Sequence, residues 1–229
     1  MNFPADHGPL YRETFAAAFP AEPWNTASNV VFLLIVMHFL RHTRCDWRRY
    51  PMIVLSLPIL FTGFASGTVY HATRSHQIWL ILDYMPIVIL GIAGSYFFWR
   101  QLSSFWIAPF LVLGGLVLSG RLHSMLSGPR SLHISLGYCM VALNILVPAV
   151  INSGRNKWRG VGLLSIAAVS FAAAVFFRQW DMQSPLSVFP MGTHFLWHIF
   201  GGASAFAIML HIFNSEKTSG TAECRNLQF

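Results

Sequence analysis

Seven apolar runs, at about 25–40, 51–70, 78–98, 105–120, 131–151, 160–177 and 192–213, leave this 229-residue chain few ways to fold. In hydrocarbon every backbone N–H and C=O must find a partner within the protein, so a spanning segment is a helix or part of a closed barrel. A spanning helix takes about 20 mostly apolar residues. The pattern predicts an all-α polytopic membrane protein, a seven-transmembrane helix bundle. Composition agrees, because only 10% of residues are charged, whereas a soluble domain carries charge on about a quarter.

The breaks between runs hold turn-forming and charged residues, such as Ser127-Gly128-Pro129-Arg130 and Gln183-Ser184-Pro185. None is long enough for a second domain. The expected division is an N-terminal segment packed at the bundle mouth (1–24), the bundle itself (25–213) and a flexible cytoplasmic tail (214–229). The opening MNFPADHGPLYRETF lacks a positive region followed by an apolar core, so no cleavable signal is expected and the mature chain is expected to start near Met1. Cys45, Cys139 and Cys224 are odd in number and have no CxxC spacing, which sets aside a disulfide framework or a thiolate metal site.

The net charge is +7, but the basic residues are scattered among the connections rather than gathered on a nucleic-acid-binding face. Loops 1, 3 and 5 with the tail carry 10 lysines and arginines, against 5 for the N-terminal segment with loops 2, 4 and 6. The positive-inside rule therefore puts the N-terminus outside and the C-terminus in the cytoplasm. Tryptophans near the ends of runs, Trp24 and Trp158 among them, read as interfacial anchors. Gly91, Gly114-Gly115 and Gly201-Gly202 read as points of close helix contact.

Ionisable groups within such runs are costly and by default mark function. Asp83 interrupts QIWLILDYMPIVIL, while Asp6, Glu13 and Glu22 crowd the segment before the first run. In a seven-span chain the end of span 2 (His71), the start of span 3 (Asp83), the start of span 7 (His194, His198) and the start of span 1 (Glu22) fall on one membrane face. His38 and His211 fall near the other. His194 and His198, spaced i and i+4, lie about 40° apart on one helical face. With His71 they form the open three-histidine set of a catalytic zinc site, in which zinc lowers the pKa of water to about 7 and Asp83 is placed to move the proton. Two other readings fit the same spacing. The histidines could be hydrogen-bonded helix residues, or two of them could ligate haem. Arg74 and His76 read as a solvated loop.

The segments AEPWNTASN, SGTVYHATRSHQIWLILDYMPI and HFLWHIFGGASAF together resemble the signature blocks of the alkaline ceramidase family. That family belongs to a superfamily of seven-span membrane hydrolases that includes the adiponectin receptors. The resemblance covers the order and placement of motifs over most of the chain, and its short loops and AEPWN pattern are similar to bacterial members, implying a bacterial inner membrane. It implies a zinc-dependent hydrolase that cleaves the N-acyl bond of ceramide or a ceramide-like lipid and releases a fatty acid. By that resemblance His71, His194 and His198 hold zinc and Asp83 acts on the water. A serine that stabilises the oxyanion usually lies four residues before the first histidine, but that position is Gly67 here. Ser66 is carried over instead, with Thr68 as the alternative. On a regular helix Ser66 points about 140° from His71 and Thr68 about 60°. The resemblance also implies a calcium ion near the zinc, held by Asp6, Glu13, Glu22, Asn25 and backbone carbonyls. The implied partners are a membrane lipid substrate and the bilayer. A seven-span lipid receptor with a structural zinc, or a hydrolase of another acyl lipid, remains an alternative. A retinal photoreceptor is disfavoured because the lysines are Lys157, in a loop, and Lys217, in the tail.

Overall fold

Prolines open two of the first three helices of the chain, and left-handed residues close two of them. The structure, a computed structural model, describes residue 6, residues 8–125 and residues 127–226, without the side chains of 123, 130 and 219–226. The side chain of Cys224 and the last three residues of the expected tail lie outside the described residues. Helix α1 (Pro23–Ser28) and, after Asn29, helix α2 (Val30–Thr43) run nearly end to end. Helix α3 (Pro51–Thr73) follows. A proline at the first helical position gives up an N–H that would have no helical partner anyway. Arg44 (φ 51°) ends α2 and Arg74 (φ 47°) ends α3, a conformation that costs a non-glycine residue roughly 1–2 kcal/mol. Then come α4 (Gln77–Leu102), α5 (Ala108–Met125), α6 (Arg130–Arg155), α7 (Val161–Trp180), a short 3-10 turn (Asp181–Gln183) and α8 (His194–Asn226). The described residues contain no strand.

Six stretches are long and apolar enough to cross a membrane: Pro23–Thr43, Pro51–Thr73, Gln77–Leu102, Ser131–Arg155, Val161–Gln183 and His194–Thr218. The run at 105–120, expected as another span, differs. Its first residues form a turn, with the Ile107 and Ala108 amides donating to the Ser104 carbonyl. The apolar helix, Ala108–Leu122, is only about 22 Å long at 1.5 Å per residue, short of a roughly 30 Å hydrocarbon core.

Large apolar side chains stay on the outside, among them Phe110, Leu113 and Val117 on α5 and Ile166 and Val169 on α7. Lipid is as apolar as these residues, so helix association relies on close packing more than on escape from water. Three of the anticipated glycines sit at such approaches. Gly91 meets Val141, Gly115 meets Asn144 and Gly202 meets Val31. Gly114 and Gly201 face open space.

The apolar core lies at one end, where Phe39, Ile53, Leu57, Phe98, Met209 and Ile212 are buried together. There α8 continues past Asn214, where a flexible tail was expected, because Glu216 is buried against the start of α3. Its carboxylate accepts from the Met52 amide (2.7 Å) and the Ile53 amide (3.4 Å), supplying acceptors to a helix N-terminus that has none of its own.

Candidate metal centre

At the opposite end, the C-terminus of α3 needs partners for its last carbonyls. The chain before α1 supplies them, with Ala21 N donating to Ala72 O (2.8 Å) and Glu22 N to His71 O (3.1 Å). This docking brings the Glu22 side chain under His71. Glu22 Oε2 lies 2.5 Å from His71 Nδ1, so Nδ1 donates to the carboxylate and Nε2 is the ring nitrogen turned away from it. A carboxylate on the far nitrogen is the usual support of a metal-ligating histidine.

His198 is held in a similar way. Its Nδ1 is 2.7 Å from Ser28 Oγ, and that hydroxyl donates its own proton to Asn25 O (3.0 Å), so it accepts from His198. His194 is positioned through the start of α8, where Asp181 Oδ1 accepts from Thr193 N (2.6 Å) and His194 N (2.8 Å). Asp181 Oδ2 accepts from Arg12 N (2.9 Å). One carboxylate thereby ties the N-terminal segment to the helix that carries two histidines. Tyr11, on that segment, stacks on His194 with ring centroids 3.8 Å apart. Burial, with the nearby Tyr70 hydroxyl, raises the Tyr11 pKa and keeps the phenol protonated.

His71, His194 and His198 are all buried, and each offers a nitrogen within 4.8 Å of the others. Among the described residues His71 Nε2 and His194 Nδ1 are buried without a hydrogen-bond partner, an arrangement that costs about 1–3 kcal/mol per group unless something fills it. Zinc–nitrogen bonds of about 2.0 Å in a tetrahedron need nitrogens roughly 3.3 Å apart, within reach of small side-chain rotations. The donor set therefore fits zinc. Three rings converging on one point also suit a single ion better than haem, which takes axial imidazoles from opposite faces.

Asp83 packs on α3 one turn before His71, where a Cβ at Gly67 would collide with its Oδ1 and lie 3.2 Å from Asn29 Oδ1. Gly67 is the position at which the ceramidase resemblance expects serine, and here it is the space that admits the Asp83 carboxylate. Asp83 makes no hydrogen bond among the described residues. It lines a cavity of about 480 Å³ together with Tyr11, Asn29, Tyr138, Arg178, His194 and His198, a size suited to a small-molecule ligand. The rest of the wall is largely apolar, including Leu60, Phe64, Ile87 and Val141.

Two groups of expected residues are placed elsewhere. Ser66 lies near the carbonyls of Thr62 (2.6 Å) and Leu82 (2.7 Å), so its single proton is spent joining α3 to α4, and it does not line the cavity. Thr68 donates to Phe64 O (2.7 Å). Both hydroxyls are spent on backbone carbonyls, and neither hydrogen-bonds to a histidine among the described residues.

The acids expected around calcium do meet, but around a guanidinium. Arg74, expected in a solvated loop, is only 2% exposed. Its left-handed turn sends the side chain back over the end of α3. Nε and Nη2 form a fork on Asp6 (2.6 and 2.9 Å), Nη1 pairs with Glu22 Oε1, and Nη2 also donates to Pro9 O (3.1 Å). Burial alone would raise the pKa of Glu22, yet His71 and Arg74 bring it below the ordinary range. Burial likewise opposes the charge on Arg74, and Asp6 and Glu22 more than offset that, raising its pKa. Glu13 is occupied with the first amides of α1, Trp24 N (2.9 Å) and Asn25 N (2.7 Å), and burial raises its pKa. Asn25 turns its amide Nδ2 toward Glu22 (3.2 Å), presenting a donor rather than an oxygen. Two unit charges of like sign 4 Å apart repel by about 4 kcal/mol at an effective dielectric constant of 20, and a dication beside Arg74 would double that. The residues present do not fit calcium.

His38 and His211 lie away from this cluster, His38 stacked on His42 (4.3 Å) and His211 beside Gly160 O (3.3 Å). Sequence reasoning did not find Arg74, Asp181, Ser28 or the Tyr11 stack. Ser28 acts on His198, 170 residues away in the chain, and Asp181 joins Arg12, 169 residues away, to the nearby Thr193 and His194 amides; no motif spacing announces either. No protein-family model matches this chain, and none of the curated proteins matches it.

Proposed function

We propose that this protein is an intramembrane zinc-dependent hydrolase that cleaves the N-acyl amide bond of ceramide or a ceramide-like lipid and releases a fatty acid. The observation that carries the reading is the buried convergence of His71, His194 and His198, with His71 and His198 each held through Nδ1 and nitrogens left over for an ion. In this reading α5 completes a seventh span by tilting or by local thinning of the bilayer. The N-terminus lies outside. Support for that orientation comes from Arg74, whose charge is paired with Asp6 and Glu22, which reduces the free positive charge on the histidine-bearing face.

The three histidines hold the zinc, which when bound supplies Lewis-acid polarisation and activates water near neutral pH. Glu22 and Ser28 fix the ring tautomers. Asp83 accepts a proton as the water oxygen adds to the acyl carbon, and returns it to the amine as the C–N bond breaks. The apolar part of the cavity takes the acyl chain, which enters from the bilayer. Tyr11 and Asn29, unlike Ser66, are uncharged hydrogen-bonding side chains that line the cavity with His194 and His198.

The test combines metal analysis with turnover. Purified protein is expected to hold about one zinc per chain, lost in His198→Ala, and to hydrolyse an N-acyl lipid in a chelator-sensitive way. Panels of N-acyl sphingoid bases, N-acyl amino acids and glycerolipids identify the bond cleaved. Zinc without turnover of any of them, and a lipid response that survives Asp83→Asn, would instead indicate a receptor with a structural metal.

A further inference from the structure

We infer that the Arg74 guanidinium is the resident cation of the N-terminal cluster and clamps that segment in place of a divalent ion. Three observations carry this. Arg74 is fully enclosed and satisfied on several edges by Asp6, Glu22 and Pro9. Its φ of 47° is one that glycine would adopt more cheaply, so the ion pairs hold a strained backbone in place. The same Glu22 carboxylate that meets Arg74 through Oε1 supports His71 through Oε2. Arg74 is therefore a positioning residue for the metal centre, and the clamp needs no ion from outside. If the guanidinium is removed, Asp6 Oδ2 and Pro9 O lose their partner, Asp6 Oδ1 keeps only the Gly8 amide (2.6 Å) and Glu22 Oε1 only the Thr14 hydroxyl (2.6 Å), which leaves a cluster of under-satisfied oxygens. With water added, that is the hard, oxygen-rich environment calcium prefers.

The experiment measures zinc and calcium content and the thermal midpoint of the full chain in detergent micelles, after passage over a chelating resin. Wild-type protein is expected to carry zinc without calcium, and its midpoint is expected not to move with added calcium chloride. Arg74→Ala is expected to melt roughly 10 °C lower, to lose zinc more readily, and to regain stability with calcium but not with sodium. Arg74→Lys, which keeps the charge, is expected to stay insensitive to calcium. Stoichiometric calcium in the wild type, or a midpoint that rises with calcium, would overturn the inference without needing any variant. A folded Arg74→Ala that ignores calcium would overturn it as well.

A different observation concerns Arg178, which lines the cavity with His194 and His198 and forms no ion pair among the described residues. Its Nη1 donates to Ser135 Oγ (2.7 Å), and the guanidinium lies 5.9 Å from the Trp197 ring centroid and 5.7 Å from that of Tyr138. The fork is thus anchored at one edge, which leaves Nε and Nη2 for an anion. Resting on the hydrolase reading, we propose that the preferred substrate carries a carboxylate or phosphate on its amine half. An N-acyl amino acid and a ceramide of equal acyl length, assayed side by side, are expected to differ about 10-fold or more in kcat/KM in favour of the acid. Arg178→Gln is expected to erase that ratio and Arg178→Lys to keep part of it; an unchanged ratio refutes the proposal. An acidic N-acyl lipid that raises the wild-type melting midpoint but not that of Arg178→Gln, with no turnover of any lipid, would uphold the anion site while sinking the hydrolase reading.

Discussion

The two ends of α3 solve the same problem with opposite chemistry. At its N-terminus the helix buries Ile53 and Leu57 in one cluster with Phe39 and Phe98, and one carboxylate, Glu216, serves the free amides. At its C-terminus the helix meets Glu22, Arg74 and Asp6, and nearly every polar atom has a named partner. The exceptions among the described residues are the Tyr70 hydroxyl, His71 Nε2 and His194 Nδ1, with the Asp83 carboxylate in the cavity wall. The apolar end tolerates local error because its contacts are numerous and undirected. The polar end depends on a few directed bonds, so changes there are expected to show in metal content and turnover before they show in folding.

The sharpest way to break this contrast is His198→Ala, which removes a ligand while sparing the apolar end. Zinc content is expected to fall to background and hydrolysis with it, with the helical circular dichroism signal retained. Gly67→Ala comes next, because its methyl group displaces Asp83 from the face of α3. A shift of about 1 Å in a catalytic group costs on the order of 100-fold in rate, and zinc content is expected to be unchanged.

Glu22→Gln is expected to weaken zinc affinity by about 10- to 100-fold, measured by competition with a chromogenic chelator. It also alters the acid limb of stability. The pKa of Glu22 is lowered in the folded protein, so the stability it contributes is complete above the ordinary glutamate value of about 4.3. That contribution is lost as pH falls through the lowered value. Melting midpoints recorded downward from pH 5 are expected to drop more steeply in the wild type than in Glu22→Gln.

Changes at the apolar end are expected to reverse the pattern. Phe39→Ala leaves a cavity worth about 3–5 kcal/mol of lost packing, seen as a lower melting midpoint with zinc stoichiometry intact. Glu216→Gln, which weakens only the cap on α3, is expected to cost about 1 kcal/mol or less. If Phe39→Ala also emptied the metal centre, the two ends would be one cooperative unit and the contrast drawn here would fail.

Much of the metal end was legible before any coordinates. His194 and His198 follow from helical spacing, and His71, Asp83 and Glu22 from counting which ends of the apolar runs share a face. The structure brings His71, His194 and His198 together, while six helices are long and apolar enough to cross a membrane and Ala108–Leu122 is shorter. Arg74 was misread because a charged residue after a helix is ordinarily solvated, and only the left-handed turn at its own Cα sends it inward. Ser66 was carried over by similarity, but a one-residue change of phase on α3 points it at Leu82 rather than at the histidines.

What the chain determines by itself is set by periodicity and solvation. Long apolar runs must be helices in lipid, and costly ionisable groups within them must converge. Which donor faces which acceptor was decided only by the tertiary structure. Hydrogen bonds and ion pairs depend on ångström-scale separations between Asp6 and Arg74, or Ser28 and His198, that are far apart in sequence and set by how the helices rotate against one another.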